Sequence, residues 1–232
     1  FARMGILGHL GSAPVGYDLR VNDLDDLLAV QAEAKAAGNR FIVALNSRSA
    51  FSLEGGWLEG TDALLALFYG GQAQNQALAE LLLGRKNCSG KLCVTIPRTS
   101  TDLCTHFDET TRLERWGEQV QGQDFSVRYS EGLDFGYRWN ARAGVAPGYP
   151  FGFGLSYTDF LYSDFSVTPA GKGFDVALRV TNSGAAAGDE IVQVYLGEAK
   201  VPGHIRCAKV QLVGFARLED LGAGESRRCV IH

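Results

Sequence analysis

The sequence predicts an α/β sandwich over residues 1–154, with a partial, mostly parallel sheet flanked by helices, followed by an all-β sandwich over residues 155–232. Three observations predict this order. Apolar runs alternate with helical patterns up to about residue 100, as in α/β proteins. A segment of weak periodicity, about 100–154, then connects the two parts. Beyond it, short runs of alternating polarity are separated by turn residues, which is typical of a sandwich.

The first helix is predicted to begin at the polar pair Asn22 and Asp23 and to end at Gly38. Its apolar residues fall on one helical face, as the 3.6-residue period requires: Leu24, Leu27, Leu28 and Ala32. The pattern therefore indicates an amphipathic helix that packs one side against the sheet.

Three apolar runs are predicted as strands of the α/β part. Phe41–Leu45 is uninterrupted and partly β-branched, which suits a parallel strand covered on both faces. Ala63–Tyr69 is the second run, and Lys91–Pro97 is the third, ended by its proline. A helix that ends at Gly84 is predicted between the second and third runs.

The sandwich is predicted from three further runs. Phe174–Val180 alternates apolar and polar residues, and the sequence TNSG after it has the composition of a turn. Glu190–Leu196 and Lys209–Leu218 follow as strands.

Composition restricts the function classes. With 46% hydrophobic and 21% charged residues, the chain is typical of a globular protein. The net charge of -4 and the absence of a basic run argue against a nucleic-acid partner. No apolar run reaches the roughly 20 residues that a membrane helix needs. We expect a neutral or weakly charged ligand and no cofactor.

Three motifs resemble glycoside hydrolase family 3, the β-glucosidase and β-xylosidase group. They are PFGFGLSYTDF (Pro150–Phe160), KLCVTIP (Lys91–Pro97) and VRYSEGLDFGYRW (Val127–Trp139). The resemblance implies the family's C-terminal α/β-sandwich followed by a fibronectin-III-like sandwich, with a catalytic barrel before them. Since such sandwiches usually continue for a few more strands, we expect this one to be incomplete at its C-terminal end. Since the chain opens at Phe1 without an initiator methionine, we expect an internal fragment of such a protein.

The same resemblance implies a function. A β-glucosidase-like hydrolase removes terminal β-linked sugars by a retaining mechanism, and its nucleophile lies in the barrel, which is absent from this chain. The implied partners are a carbohydrate or glycoside substrate and the barrel domain of the same protein. The implied location is secreted or extracellular.

No catalytic residue is identifiable in the chain. The resemblance places the acid/base glutamate on a loop that corresponds to Gly11–Asp18. Near Val15, the positions where a Glu is expected hold uncharged residues: Ala13, Pro14 and Val15. Asp18 matches an aspartate that follows the family's acid/base position, and we interpret it as a turn residue.

A second acidic position of the family pattern is also missing, because Gly70 and Ala73 stand where a Pro and a Glu are usual. This pair of losses motivates an alternative. In it, the chain belongs to a catalytically inactive relative that serves as a structural or carbohydrate-binding subunit of a larger assembly.

Two further groups of residues, a set of cysteines with a histidine and a glycosylation tripeptide, are weaker indications of function. The spacing of Cys88, Cys93, Cys104 and His106 lacks the paired knuckles of structural zinc sites, so we interpret the cysteines as ordinary thiols and predict no metal. Asn87 begins the tripeptide Asn-Cys-Ser, which makes it a candidate N-glycosylation acceptor.

Aromatic residues are concentrated in the connecting segment and at the start of the sandwich: Tyr129, Phe135, Tyr137, Trp139, Tyr149, Phe151, Phe153 and Tyr157. Such rings can stack on sugars, but we expect most of them to form core, with glycines allowing tight turns. Glu131 and Arg138 are predicted to form an ion pair there rather than to act as catalysts.

Overall fold

A computed structural model describes residues 21–47, 50–99, 102, 132–199 and 207–232. The described chain divides into two compact units. The first comprises the described residues up to Phe68 and those of Val94–Pro150; the second comprises Tyr69–Cys93 and the described residues of Phe151–His232. The domain boundary expected after residue 154 stays a prediction.

The first unit begins with helix α1, Val21–Ala36. The predicted stop is confirmed, because Gly38 takes a left-handed φ of 69° and Asn39 N donates to Ala34 O at 2.8 Å, as in a Schellman motif. Leu27 is 2% exposed, as its position on the apolar face requires. Ala32 is exposed, and the polar Gln31 is buried instead.

Strands β1, Ile42–Leu45, and β2, Ala63–Ala66, pair in parallel in a two-stranded sheet. The 3₁₀-helix Trp57–Gly60 lies between them in sequence. Gln31 is buried because its Nε2 donates to Trp57 O at 2.6 Å. Burial alternates along β1, with Ile42 47% exposed. The expectation that both faces of this strand are covered is therefore wrong, since only alternate side chains reach the core.

Residues Lys91–Pro97 form no strand, contrary to the sequence prediction. Ile96 makes an isolated antiparallel bridge to Tyr149. Gly152 N donates to Leu92 O at 2.7 Å, but Gly152 has a φ of 80°. The segment facing Lys91–Pro97 is thus not continuously extended, so a regular ladder does not form.

Two further helices are described. Helix α2, Gln74–Leu82, belongs to the second unit and ends as predicted at Gly84, which has a φ of 67°. Helix α3, Tyr137–Ala143, belongs to the first unit. Of the helices in the described ranges, none combines the length and the apolarity that crossing a membrane requires.

Five strands lie in the described part of the second unit. Strands β3, Phe160–Ala170, β4, Gly173–Asn182, and β7, Ser226–Ile231, form an antiparallel sheet in the order β3-β4-β7. Strands β5, Gly188–Gly197, and β6, Val210–Leu221, form a second antiparallel sheet. The three strands predicted here from alternation are confirmed.

One core joins the two sheets. Its buried side chains come from β4 and β7 on one side and from β5 and β6 on the other: Val176, Leu178, Val180, Val192, Leu218, Leu221, Cys229 and Ile231. The alternation of apolar residues along each strand places them on the inner face, since side chains alternate across a sheet. Phe174 departs from this pattern, being 60% exposed at the start of β4.

Candidate functional site

The predicted acid/base loop, Gly11–Asp18, lies outside the described residues. This range includes Val15 and its neighbours, and other residues singled out from the sequence also lie outside: Cys104, His106, Tyr129 and Glu131. The prediction that no catalytic residue is identifiable there stays a prediction.

The second position with a missing carboxylate is described, in the loop that precedes α2. Gly71 has a φ of 72°, and its carbonyl accepts from Gln74 N at 3.3 Å. Gln74 folds back, so that its Oε1 accepts from Gly70 N. Ala73 is exposed at the N-cap position, and the first turn of the helix carries no acidic residue. This loop presents neutral amides, which can hydrogen-bond sugar hydroxyls but cannot transfer a proton as a carboxyl group does.

The chain after α2 is held by Asn87. Its Nδ2 donates to Ala187 O at 3.0 Å, and its Oδ1 accepts from Ser156 Oγ at 3.0 Å and from Tyr157 N at 2.8 Å. The Tyr157 hydroxyl in turn donates to Leu81 O at 2.9 Å, at the end of α2. Burial raises the pKa of Tyr157 above its ordinary value, with a smaller contribution from the neighbouring Cys88.

A buried charge pair lies four residues further along. Lys91 Nζ donates to Glu190 Oε2 at 3.2 Å and to Gly154 O at 3.1 Å. The Tyr162 hydroxyl donates to Glu190 Oε1 at 2.7 Å. The side chains of Lys91 and Glu190 are only 15% and 9% exposed. Both carboxylate oxygens of Glu190 therefore accept hydrogen bonds, which is the condition for a buried charge to be tolerated.

Proton transfer is not a role for which Tyr162 is suited. Burial of its hydroxyl, and then the hydrogen bond to Glu190 and the negative charge of that carboxylate, raise the pKa of Tyr162 well above its ordinary value. Since a general acid or base works best when its pKa is near the working pH, this phenol stays protonated. We interpret Lys91, Glu190 and Tyr162 as a structural cluster.

The glycines of the motif Pro150–Phe160 allow close backbone approach. Gly152 O accepts from Gln193 Nε2 at 2.9 Å. A Cβ at Gly154 would overlap the backbone oxygen of Gly90. The tight turn predicted here lies at Gly152, which has a φ of 80°, whereas at Gly154 the absence of a Cβ allows the close approach.

Asn182, in the predicted turn TNSG, is fully buried. Its Nδ2 donates to Ala186 O and to Leu221 O, each at 2.8 Å. Its Oδ1 accepts from Thr158 Oγ1 at 2.7 Å and from Gly184 N at 3.1 Å. One side chain thus uses all of its hydrogen-bonding capacity to join the start of the sandwich, the turn and the end of β6.

The described members of the aromatic set are mostly half-buried, with Phe135 and Tyr157 the most exposed at 50% and 53%. Arg138 is half-buried on α3. Near this helix, Arg142 Nε pairs with Asp134 Oδ2 at 3.4 Å. Asp134 is buried, and neither residue was singled out from the sequence. The predicted pair of Glu131 and Arg138 stays a prediction, because Glu131 lies outside the described residues.

Sequence reasoning also missed Lys91, Glu190, Tyr162 and Asn182. A signal was present for two of them, because Lys91 is a single charge beside an apolar run and Glu190 follows Asp189 at the start of another. Among the described residues, Cys88, Cys93, Cys207 and Cys229 are free thiols, and no group of three or more potential ligands could hold a metal ion.

Comparison with known proteins identifies the family. The sequence profile described as the glycosyl hydrolase family 3 C-terminal domain matches residues 17–157, more than half of the chain. Thermostable β-glucosidase B of Acetivibrio thermocellus is 35% identical over 202 residues, which make up 85% of this chain and 24% of that protein. An exo-α-(1→6)-L-arabinopyranosidase of Bifidobacterium longum is 32% identical over 219 residues, 93% of this chain and 27% of that protein.

Comparison with solved structures supports the same family. β-Glucosidase 3B from Thermotoga neapolitana in complex with α-D-glucose superposes with a TM-score of 0.79 and 34% identity, over 94% of this chain and 29% of that one. The chain spans about a quarter of the length of the curated relatives it matches. From the match of motifs, profile and fold, this chain belongs to glycoside hydrolase family 3 and carries the family's C-terminal domain.

Proposed function

We propose that this chain is the C-terminal portion of a β-glucosidase-like hydrolase that removes terminal β-linked sugars with retention of configuration. The observation that carries the proposal is the family profile over residues 17–157, together with relatives and neighbours named as β-glucosidases. The fibronectin-III-like character of the sandwich and the location outside the cell are parts of the same proposal.

The mechanism needs two carboxyl groups about 5 Å apart, one as nucleophile and one as acid/base. We assign the nucleophile to a barrel domain outside this chain, because no residue here matches the family's nucleophile. The nucleophile, as a carboxylate, attacks the anomeric carbon and forms a glycosyl-enzyme intermediate, while the glycosidic bond breaks and the acid/base protonates the leaving oxygen. The acid/base then takes a proton from water, which attacks the anomeric carbon and releases the sugar. The acid/base residue lies on another loop or in the barrel.

The contribution of this chain would be to form part of the wall of the substrate pocket. The loop before α2 offers the amide of Gln72 and the Nε2 of Gln74, whereas Gln74 Oε1 and Gly70 N are hydrogen-bonded to each other. Amides suit a neutral substrate rich in hydroxyl groups, since each can donate and accept a hydrogen bond.

The test is hydrolysis of aryl β-glycosides by the full-length protein, with glucoside, xyloside and arabinopyranoside compared. Proton NMR of the first product formed distinguishes the two stereochemical outcomes. We expect turnover, with the β-anomer appearing first. A 2-deoxy-2-fluoro glycoside then traps the intermediate, and peptide mass spectrometry is expected to place the label outside this chain.

The companion variant is Val15→Glu, which restores a carboxyl group at the expected acid/base position. Turnover by the parent protein supports the proposal and places its acid/base elsewhere. A folded parent without turnover would favour the inactive relative, most clearly if Val15→Glu gained activity. An α-anomer as first product would refute retention while leaving hydrolysis intact.

A further inference from the structure

Asn87 stands in the only N-x-[S/T] tripeptide of the chain, Asn-Cys-Ser. The pattern would make it a glycan acceptor on an exposed loop. In the structure its side chain is half-buried, and its two amide atoms take part in three hydrogen bonds, to Ala187, Ser156 and Tyr157. These partners lie about 70 to 100 positions away in the sequence.

The atom that a glycan would modify is Nδ2, because the sugar carbon bonds to the amide nitrogen. Nδ2 already donates to Ala187 O at 3.0 Å. A Cβ built at the neighbouring Gly188 would lie 2.5 Å from the same nitrogen, closer than carbon and nitrogen can approach without a bond. Gly188 itself is buried. On that side, Nδ2 is packed against the backbone of Gly188, which has no room for a side chain.

The three partners also tie together two segments. Ser156 and Tyr157 belong to the entry into the sandwich, and Ala187 precedes β5. Asn87 follows α2, whose last turn is held by the Tyr157 hydroxyl on Leu81 O. One amide and one phenol thus fix the end of the helix to the sandwich inside the second unit.

We propose that Asn87 is a positioning residue that fastens the segment carrying α2 to the sandwich, and that its tripeptide stays unmodified in the folded protein. Glycosylation replaces one of the two hydrogens of Nδ2, so the sugar would have to fit beside the bond to Ala187 O and the backbone of Gly188. Glycosylation and the native hydrogen bonds would both use the side-chain amide of Asn87.

Expression of the full-length protein in a secreting yeast tests the second part. Peptide mass spectrometry of the secreted, folded material reads the occupancy of Asn87. The positive control is Gly224→Asn, which creates the pattern Asn-Glu-Ser at an exposed turn. Gly224 has a φ of 75°, which Asn tolerates, and a Cβ there meets nothing within 4 Å.

We expect a glycan at position 224 of the control and unmodified Asn87 in the same preparations. A glycan on Asn87 in most of the secreted molecules, with an unchanged unfolding midpoint, would overturn the proposal. Modification confined to aggregated or retained protein would support it, because the glycan would then be incompatible with folding.

Hydrogen exchange tests the fastening itself. Asn87→Gln keeps the amide group but adds one methylene to the side chain, so the hydrogen bonds to Ala187, Ser156 and Tyr157 cannot all form. We expect the Tyr157 amide to exchange roughly tenfold faster or more, since losing one such bond releases the local structure. Asn75→Gln, on the exposed side of α2, is the matched control.

If Asn87→Gln does not fold, Ser156→Ala removes one of the two donors to Oδ1 and keeps the rest. It should accelerate exchange at the same amide by a smaller factor. Exchange in both variants equal to that of the unchanged protein would refute the fastening role.

Discussion

The hydroxyl of Tyr162 on β3 donates to Oε1 of Glu190 on β5 at 2.7 Å, so a phenol from one sheet supports a buried carboxylate of the other. Lys91, from the segment that carries α2, neutralises that carboxylate at 3.2 Å. Three pieces of chain distant in sequence therefore converge on one buried negative charge.

Replacing Lys91 by Met should strongly destabilise the second unit. The change leaves Glu190, 9% exposed, without its cation and leaves Gly154 O without its donor. Removing one partner of a buried pair costs about 3 kcal/mol of unfolding free energy. Urea titration followed by circular dichroism measures the loss.

The matched control for Lys91 is Arg40→Gln. Arg40 pairs with Asp62 at 3.4 Å, but its side chain is 85% exposed. Exposed pairs contribute less than about 1 kcal/mol. Similar losses of unfolding free energy in the two variants would show that the burial of the Lys91–Glu190 pair does not contribute to stability.

Asn182→Asp should cost at least about 3 kcal/mol, because the new carboxylate would face the carbonyls of Ala186 and Leu221 with no hydrogen to donate. Thermal unfolding at neutral pH is the measurement. Asn75→Asp makes the same chemical change at an exposed position of α2. We expect that control to unfold at nearly the original temperature, and an equal shift in both variants would contradict the burial argument.

Asp189 should contribute stability that is lost in acid. The hydrogen bond from Asp220 N, followed by those from Arg217, lowers the pKa of Asp189 below its ordinary value. Its folded pKa is then below its unfolded pKa, so the unfolded chain takes up the proton first as pH falls. Unfolding free energy should therefore decline as pH falls below about 4.

Urea titrations between about pH 6 and about pH 2.5, a range that brackets the ordinary aspartate pKa near 4, check this slope. Asp189→Asn removes the titrating group and should flatten the acid decline while lowering stability at neutral pH. A steeper decline in Asp189→Asn would reverse the assigned sign.

Gly154→Ala and Gly90→Ala test the two ends of one close approach. A Cβ at Gly154 would overlap the backbone oxygen of Gly90, and backbone cannot rotate away as a side chain can. We expect a loss of about 2 kcal/mol. Gly90 has open space around a Cβ, so its alanine variant should be unchanged or gain about 0.5 kcal/mol. Equal tolerance at both positions, measured by thermal unfolding, would show that the contact relaxes freely.

Local patterns in the sequence determined the regular elements. Helices α1 and α2 are terminated at Gly38 and Gly84 because glycine readily takes a positive φ. This way of ending a helix depends only on residues that are close in the sequence. Alternating polarity determined β4, since a strand with one buried face has a period of two. The motifs in Pro150–Phe160 likewise sufficed to identify the family.

The tertiary structure decided which polar groups are buried and what they contact. A Lys, a Glu and a Tyr far apart in the chain give no local sign that they will share one site, because their pairing depends on how the segment of Lys91 packs against β3 and β5. The apolar pattern of Lys91–Pro97 likewise predicts a strand, but the segment that faces it is not continuously extended, so no strand forms. Hydrogen bonds between residues far apart in the sequence form only when the chain is packed, so local sequence patterns do not predict them.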